Sequence, residues 1–219
     1  MPIPLFPLHV VLFPGAALPL HVFELRYRRM MADVLGPEDS PNPDPAFGVA
    51  CIREGYEVGD RAETHDVGCL GVVELVRRSP DGTMDLVVRG SSRFRIMGRP
   101  PDDPYPRADI GALDEPVGPR PEEARRLAVA ALNRYLSVVA RYTSAELPGL
   151  ELPEEPVAAS YSAAGLLGVD LGVRQTLLEA TSASERLARV AAVARSEATL
   201  LETVGPPVPR PRIEGSSLN

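Results

Sequence analysis

The residues that could carry chemistry in this chain are few and scattered. Its three histidines, His9, His21 and His65, share no HxxxH or HExxH spacing, so no two imidazoles are set one helical turn apart as metal ligands. Cys51 and Cys69 stand 18 positions apart with no CxxC, which predicts a reduced, buried pair rather than a zinc cage or redox motif. The sequence therefore predicts no metal and no cofactor. His9 and His21 fall in proline-interrupted apolar segments and are expected to be hydrogen-bonded structural imidazoles, whereas His65-Asp66 reads as a solvated turn. GxSxG and GxGxxG are both absent, so neither a nucleophile elbow nor a dinucleotide fingerprint is present. The acidic pairs Glu122-Glu123 and Glu154-Glu155 stand at expected helix starts, where the helix dipole accounts for them without catalysis.

All 23 basic residues are arginine, because lysine does not occur in the sequence. A P-loop, a Ser-Lys dyad and a Schiff-base enzyme each need a lysine, so all three chemistries are excluded from these residues. A GC-rich genome is explanation enough for arginine in place of lysine. The net charge of -7 opposes the counterion release that drives non-specific binding to DNA or RNA, which argues against nucleic acid as a partner. The opening MPIPLFPLHVVLFPG is apolar but has no basic flank and is broken by prolines. It fits neither a signal peptide nor a membrane span, so no membrane association is expected and a cytoplasmic protein is.

Positioning these residues falls to two kinds of segment. Up to about residue 114, short apolar and β-branched runs alternate with proline and glycine: Ile3 to Leu8, Ala17 to Phe23, Ala46 to Arg53, Gly68 to Arg77, Thr83 to Arg89, Arg93 to Met97 and Arg107 to Leu113. Ser79-Pro80-Asp81-Gly82 is a hairpin cue between two of them. Many short strands in such a length suggest a sandwich or a small barrel. One helix interrupts them, Glu24 to Leu35, with Tyr27, Met30, Met31 and Val34 on a single face. The stretches EDSPNPDP and RPPDDPYP read as surface loops, the first of them mobile.

The period then becomes helical. From Pro121, residues Ala128, Leu132, Tyr135, Val139 and Tyr142 make one stripe. Further helices are expected over Pro156 to Leu167, over Leu171 to Ala180 with Asp170 as cap, and over Ser184 to Thr203 with Ser182 and Glu185 as a capping box. The fold class is thus α+β. The expected division is a β-rich unit at residues 1–115, a helical unit at 116–204 and a disordered proline-rich tail at 205–219.

Three blocks near the start, Pro4-Leu5-Phe6-Pro7-Leu8, Val11-Leu12-Phe13-Pro14-Gly15 and Leu18-Pro19-Leu20-His21-Val22-Phe23-Glu24, closely resemble the opening of the LON substrate-binding domain. Val67-Gly68-Cys69-Leu70-Gly71, the run from Asp81-Gly82 to Val88-Arg89-Gly90-Ser91-Ser92-Arg93-Phe94-Arg95-Ile96, and later Ser160-Tyr161, Gln175-Thr176-Leu177-Leu178-Glu179 and Glu185-Arg186-Leu187 continue the likeness to about residue 203. The resemblance implies a PUA-like six-stranded pseudobarrel followed by a small helical bundle. In bacterial Lon proteases this domain precedes an ATPase and a Ser-Lys protease; with Asn219 as the last residue, neither module is expected here.

Within that pattern Pro4, Pro7, Pro14 and Pro19 are expected to fix φ at strand ends and edges. Phe6, Leu20 and Phe23 are expected in the core. Gly15, Gly68 and Gly90 are expected to supply positive φ or close backbone approach, and Arg93 to clamp Glu24 or a backbone carbonyl. The function expected is non-catalytic recognition of peptides or unfolded proteins, in a shallow groove or along an edge strand, with delivery to a separate protease as one use. The alternative is a structural or regulatory protein docking one dedicated partner. The candidate contacts are Arg26 and Arg29 on the first helix and Tyr105 in the proline-rich loop.

Overall fold

Proline and glycine punctuate the first half of the chain into seven strands, five of which meet by closing on one another. They are β1 (Ile3–Leu8), β2 (Ala17–Val22), β3 (Ala46–Glu54), β4 (Glu63–Thr64), β5 (Val67–Arg78), β6 (Met84–Gly98) and β7 (Arg107–Ala112), with α1 (Leu25–Leu35) between β2 and β3. Helices α2 (Pro121–Thr143), α3 (Pro156–Gly165), α4 (Leu171–Leu178) and α5 (Ala183–Val204) follow. The computed structural model describes residues 2–37, 39–57, 62–101, 104–143 and 150–205. All of the expected tail beyond Gly205 lies outside the described residues.

Strand β1 pairs antiparallel with β7 and parallel with β3. The antiparallel run β7–β6–β5–β3 completes the circuit, so these five strands close on themselves. Leu5, Ala50, Phe94, Ile96 and Ala108 fill the interior. Gly68 makes room for the Phe94 ring, since a Cβ there would lie 2.5 Å from Phe94 Cζ and 2.4 Å from the Val49 carbonyl oxygen. Two features depart from a six-stranded count. The two-residue β4 adds a strand beside β3, and the runs expected at Thr83 to Arg89 and Arg93 to Met97 form one continuous β6. Gly90 permits the continuity: its missing Cβ would stand 2.2 Å from the Phe13 carbonyl oxygen, and it exchanges backbone hydrogen bonds of 2.8 and 2.9 Å with Gly15 and Ala16.

Among the described residues strand β2 pairs only with β6, so β2, β6 and β5 extend from the closed sheet as a three-stranded ribbon. Helix α1 covers one face of it, burying Tyr27, Met30, Met31 and Val34 against Val22, Met84, Leu86 and Val88. The helix ends at Gly36, where Asn42 donates its backbone N–H to Leu35 (2.8 Å) and its side-chain amide to the Val34 carbonyl (3.0 Å). That part of the proline-rich stretch is therefore a cap rather than an unbonded loop. Phe23, expected in the core, is 53% exposed, because β2 stops at Val22 and the chain turns out into α1.

Helices α2 and α5 run side by side in the same direction. At their starts Ala183 and Ser184 donate to the Pro116 and Val117 carbonyls (3.0 and 2.9 Å), and near their ends the Tyr142 hydroxyl donates to the Leu201 carbonyl (2.9 Å). Asp170 and Ser182 cap α4 and α5 as the spacing predicts. The second half of the capping box is shifted, since the Glu185 carboxylate accepts from Thr181. The apolar stripe of α2 and α5 packs with Phe13, Val11, Cys51 and Val67 of the β part in a single cluster.

Arg93 ties the two parts together. Its side chain is 3% exposed, and it donates to the Leu178 and Ala180 carbonyls (2.7 and 2.8 Å), the Asp114 carbonyl (3.1 Å) and both oxygens of Glu115 (2.6 and 3.1 Å). Of the two partners expected for it, the backbone carbonyl is the one found, and Glu24 pairs with Arg26 instead (3.2 Å). Arg186, fully buried, lies 3.8 Å over the Tyr161 ring and donates to Leu177, Ser160 and Ala180. The Tyr161 hydroxyl donates to Glu115, and burial pushes its pKa up.

Candidate functional site

The face of the β2–β6–β5 ribbon turned away from α1 carries an apolar row. Pro19 on β2 stands opposite Val87 on β6, which stands opposite Leu75 on β5. Leu75 reaches this face through a one-residue register shift between Val73 and Leu75. Regular alternation would put both on one side, yet Val73 is buried and Leu75 is 65% exposed. Together with Leu20, His21 and Val76 they line a concavity of about 660 Å³.

Charged rows flank the apolar one. On one side Asp85 accepts from His21 Nδ1 (2.7 Å) and from Arg77 Nη2 (2.6 Å). These partners, His21 first, hold the Asp85 carboxyl below its ordinary range. On the other side Arg89 forks onto Glu74 and reaches the Gly15 carbonyl (3.0 Å). Among the described residues no strand pairs with the outer edge of β2 or with β5 beyond Val73 on its β3 side. Both edges therefore present free backbone groups.

A second concavity, about 640 Å³, opens where α1, the end of β3, β4 and the β6–β7 connection meet. Leu5, Pro7 and Pro106 wall it, and Arg26, Arg53, Arg99 and Arg107 enter it. Arg53 pairs with Glu63 (2.8 Å) and Arg99 with Asp66 (3.0 Å). Arg26 pairs with Glu24, stacks 4.6 Å over Tyr27 and donates to the Glu57 carbonyl (3.1 Å). Arg107 stacks 4.8 Å over Tyr105 and donates to its hydroxyl (3.1 Å), and makes no ion pair among the described residues. The Nε atoms of Arg26 and Arg107 are both buried without an acceptor.

The expected contact residues are thus separated. Arg26 lines the cleft. Arg29, one turn further along α1, is exposed outside it. Tyr105 is not an exposed loop residue: at 2% exposure its ring belongs to the core beneath α1. Its hydroxyl donates to Asp33 (2.9 Å), and burial together with that carboxylate raises its pKa. Proline content signalled a loop there but not that β7 and α1 would close over the ring. His9 lies at the surface 3.5 Å from Glu57, and His65 is partly exposed 3.9 Å from Glu179. Cys51 and Cys69 are free and buried. Among the described residues no group of three or more histidine, cysteine or acidic side chains gathers as a metal site, and no helix is long and apolar enough to cross a membrane.

A sheet that carries one helix between its strands and is followed by four more matches solved Lon N-terminal domains. The crystal structure of a Lon N-terminal domain protein from Xanthomonas campestris is 26% identical with a TM-score of 0.62, covering 88% of this chain and 98% of that one. The N-terminal domain of a Mycobacterium avium complex Lon protease shares the fold at 18% identity and TM-score 0.60, over 90% of this chain and 99% of that one. The family model of the ATP-dependent protease La (LON) substrate-binding domain matches residues 2–193, and the chain belongs to that family. A Lon protease of Azospirillum brasilense is 27% identical over 88% of this chain and 24% of its own length. The chain thus spans about a quarter of the length of such relatives.

Proposed function

We propose that this chain is a recognition module for extended, unfolded polypeptide, and that the ribbon β2–β6–β5 is where it binds. In this reading residues 1–115 form a PUA-like pseudobarrel that presents the ribbon, and the helical residues 116–204 form a bundle that braces it. The observation that carries the reading is the row Pro19, Val87 and Leu75 between two ion-paired rows, beside two unpaired strand edges. An unfolded segment offers what this surface lacks, namely free backbone donors and acceptors for the edges and apolar side chains for the row. Folded proteins have already satisfied those groups. Membership of the substrate-binding family supports the same kind of partner, and handing the bound segment to a separate protease in the cytoplasm is the use we assign to it.

Leu75→Asp tests the reading. The side chain is mostly exposed, so stability should change by less than about 0.5 kcal/mol. Binding to reduced, carboxymethylated lactalbumin, followed by anisotropy, should weaken about tenfold or more, since a charge in an apolar contact is costly to desolvate. Equal binding by the variant, or equal binding of native and unfolded lactalbumin, would overturn the assignment.

A further inference from the structure

The two open edges of the ribbon are not equivalent. In an antiparallel ladder, alternate residues turn both backbone groups toward the neighbouring strand, and the residues between them turn theirs away. The Gly90 N–H donates to the Ala16 carbonyl (2.9 Å). Along the regular β2–β6 register, Leu18, Leu20 and Val22 therefore face β6, while Ala17, Pro19 and His21 face outward. Proline has no N–H to give, and its ring stands where an added strand would pair. The middle of the β2 edge is thereby closed to strand addition.

The edge of β5 is open. Inside the hairpin the Ser79 N–H donates to the Thr83 carbonyl (2.9 Å), so Arg77 and Leu75, opposite Asp85 and Val87, face β6. Val76 and Arg78 between and beyond them turn N–H and C=O outward. The bond from the Val73 N–H to the Pro45 carbonyl (2.8 Å) marks where the neighbour on this side ends, since β3 begins at Ala46 opposite Val72. A strand added beyond that point would lie in line with β3 and continue the sheet already present.

Both faces of that position are apolar. On the face turned away from α1, Leu75 ends the row that runs through Val87 to Pro19. On the α1 face, Val76 stands opposite the buried Leu86, and with Leu35, Pro37, Pro45 and Val73 it lines a groove of about 330 Å³ beside the edge. The groove's two charged residues are balanced and engaged: Glu74 is held by Arg89, and Arg78 donates to Met84 Sδ (3.7 Å). The groove therefore selects no charged ligand. A strand alternating apolar and polar side chains would set its polar ones against one of these two surfaces. A continuous apolar run meets both, and such runs are the strands that folded proteins bury on two sides.

We propose that β5, rather than β2, is the edge that captures an incoming strand, through the backbone of Val76 and Arg78, and that its ligands are continuous apolar runs of unfolded chain. The proposal rests on the recognition role assigned above and narrows it to one edge and one class of segment.

The test uses fluoresceinated peptides with a five-residue centre between Ser-Glu flanks: an all-aliphatic centre, a centre alternating valine and serine, and the all-aliphatic centre N-methylated throughout. The all-aliphatic peptide should bind about tenfold or more tighter than the alternating one, the size of two aliphatic side chains left unburied. N-methylation should abolish its binding. Val76→Pro removes one outward N–H from an edge where proline is tolerated, and should weaken the all-aliphatic peptide about fivefold or more. Ala17→Pro, which removes an outward N–H from β2, should bind it as the parent does. If Val76→Pro does not fold, Ala17→Pro and the N-methylated peptide decide together. Weakened binding by Ala17→Pro beside unchanged binding by Val76→Pro would overturn the choice of edge. Equal binding of the N-methylated peptide would overturn strand pairing, and equal binding of the alternating peptide would overturn the class of segment. No peptide binding by a protein that still binds carboxymethylated lactalbumin would overturn this proposal alone, whereas loss of both would overturn the recognition role with it.

Discussion

Two groups of arginines in this molecule use the same side chain to opposite ends. Around Arg93 and Arg186 the guanidinium groups are saturated: Arg93 makes five hydrogen bonds to three carbonyls and one carboxylate, and Arg186 spends its donors on Leu177, Ser160 and Ala180 while its plane covers Tyr161. Around Arg26 and Arg107 the groups stack on tyrosines yet keep an Nε each without an acceptor. The difference lies in what surrounds them. The first group sits where the C-terminal end of α4 and the residues just before α2 deliver carbonyls and α3 delivers the Ser160 hydroxyl; the second sits among prolines and tyrosines, which offer few acceptors. A saturated arginine ties elements together, whereas these two hold a tyrosine ring with a buried donor to spare.

The comparison breaks most decisively at Arg93. Its replacement by alanine would take from Glu115 its nearest guanidinium and leave the Leu178 and Asp114 carbonyls without their donor in the seam between β6 and the helices. We expect a loss of about 3 kcal/mol or more in urea unfolding, the size found when one partner of a buried pair is removed. A loss under about 1 kcal/mol would mean that the saturated group is no clamp. Gly90→Ala tests the same seam through the backbone. The added Cβ would stand 2.2 Å from the Phe13 carbonyl oxygen, and the forced shift should cost about 1–3 kcal/mol. The Leu75 variant should not approach these losses, because its side chain is 65% exposed.

Much of the architecture, and little of the site, can be read from the residues in order. The stripe of α1, the caps Asp170 and Ser182 and the turn at Ser79 to Gly82 are local signals, each complete within one or two turns of chain. The face that carries Leu75 is not local in this sense. A one-residue bulge decides which way the side chain points, and nothing in Gly-Val-Val-Glu-Leu-Val announces it. The cleft is less legible still, since Arg26, Arg53, Arg99 and Arg107 come from four segments that meet only when the sheet closes. Tyr105 shows the converse error: prolines on both sides give it the look of a loop residue, and closure buries it.

Tyr105 supplies the finest test, because it holds the unsaturated Arg107 by both its ring and its hydroxyl. Its hydroxyl gives its proton to Asp33 and accepts from Arg107, so it orients the guanidinium without touching a ligand. Tyr105→Phe keeps the ring for Arg107 to stack on and should cost only about 1 kcal/mol, one net hydrogen bond. Its pH dependence identifies the cause. Burial and the Asp33 carboxylate raise the phenol pKa in the folded protein, so the folded state holds the proton more tightly than the unfolded chain, whose tyrosines titrate near ~10. The stabilisation is therefore complete below that value and is lost as pH rises toward the folded pKa. The variant should lose less stability than the parent between neutral pH and about pH 11, where unfolded tyrosines are ionised. Identical alkaline profiles would mean that the hydroxyl is solvated after all, and that Arg107 owes its position to the ring alone.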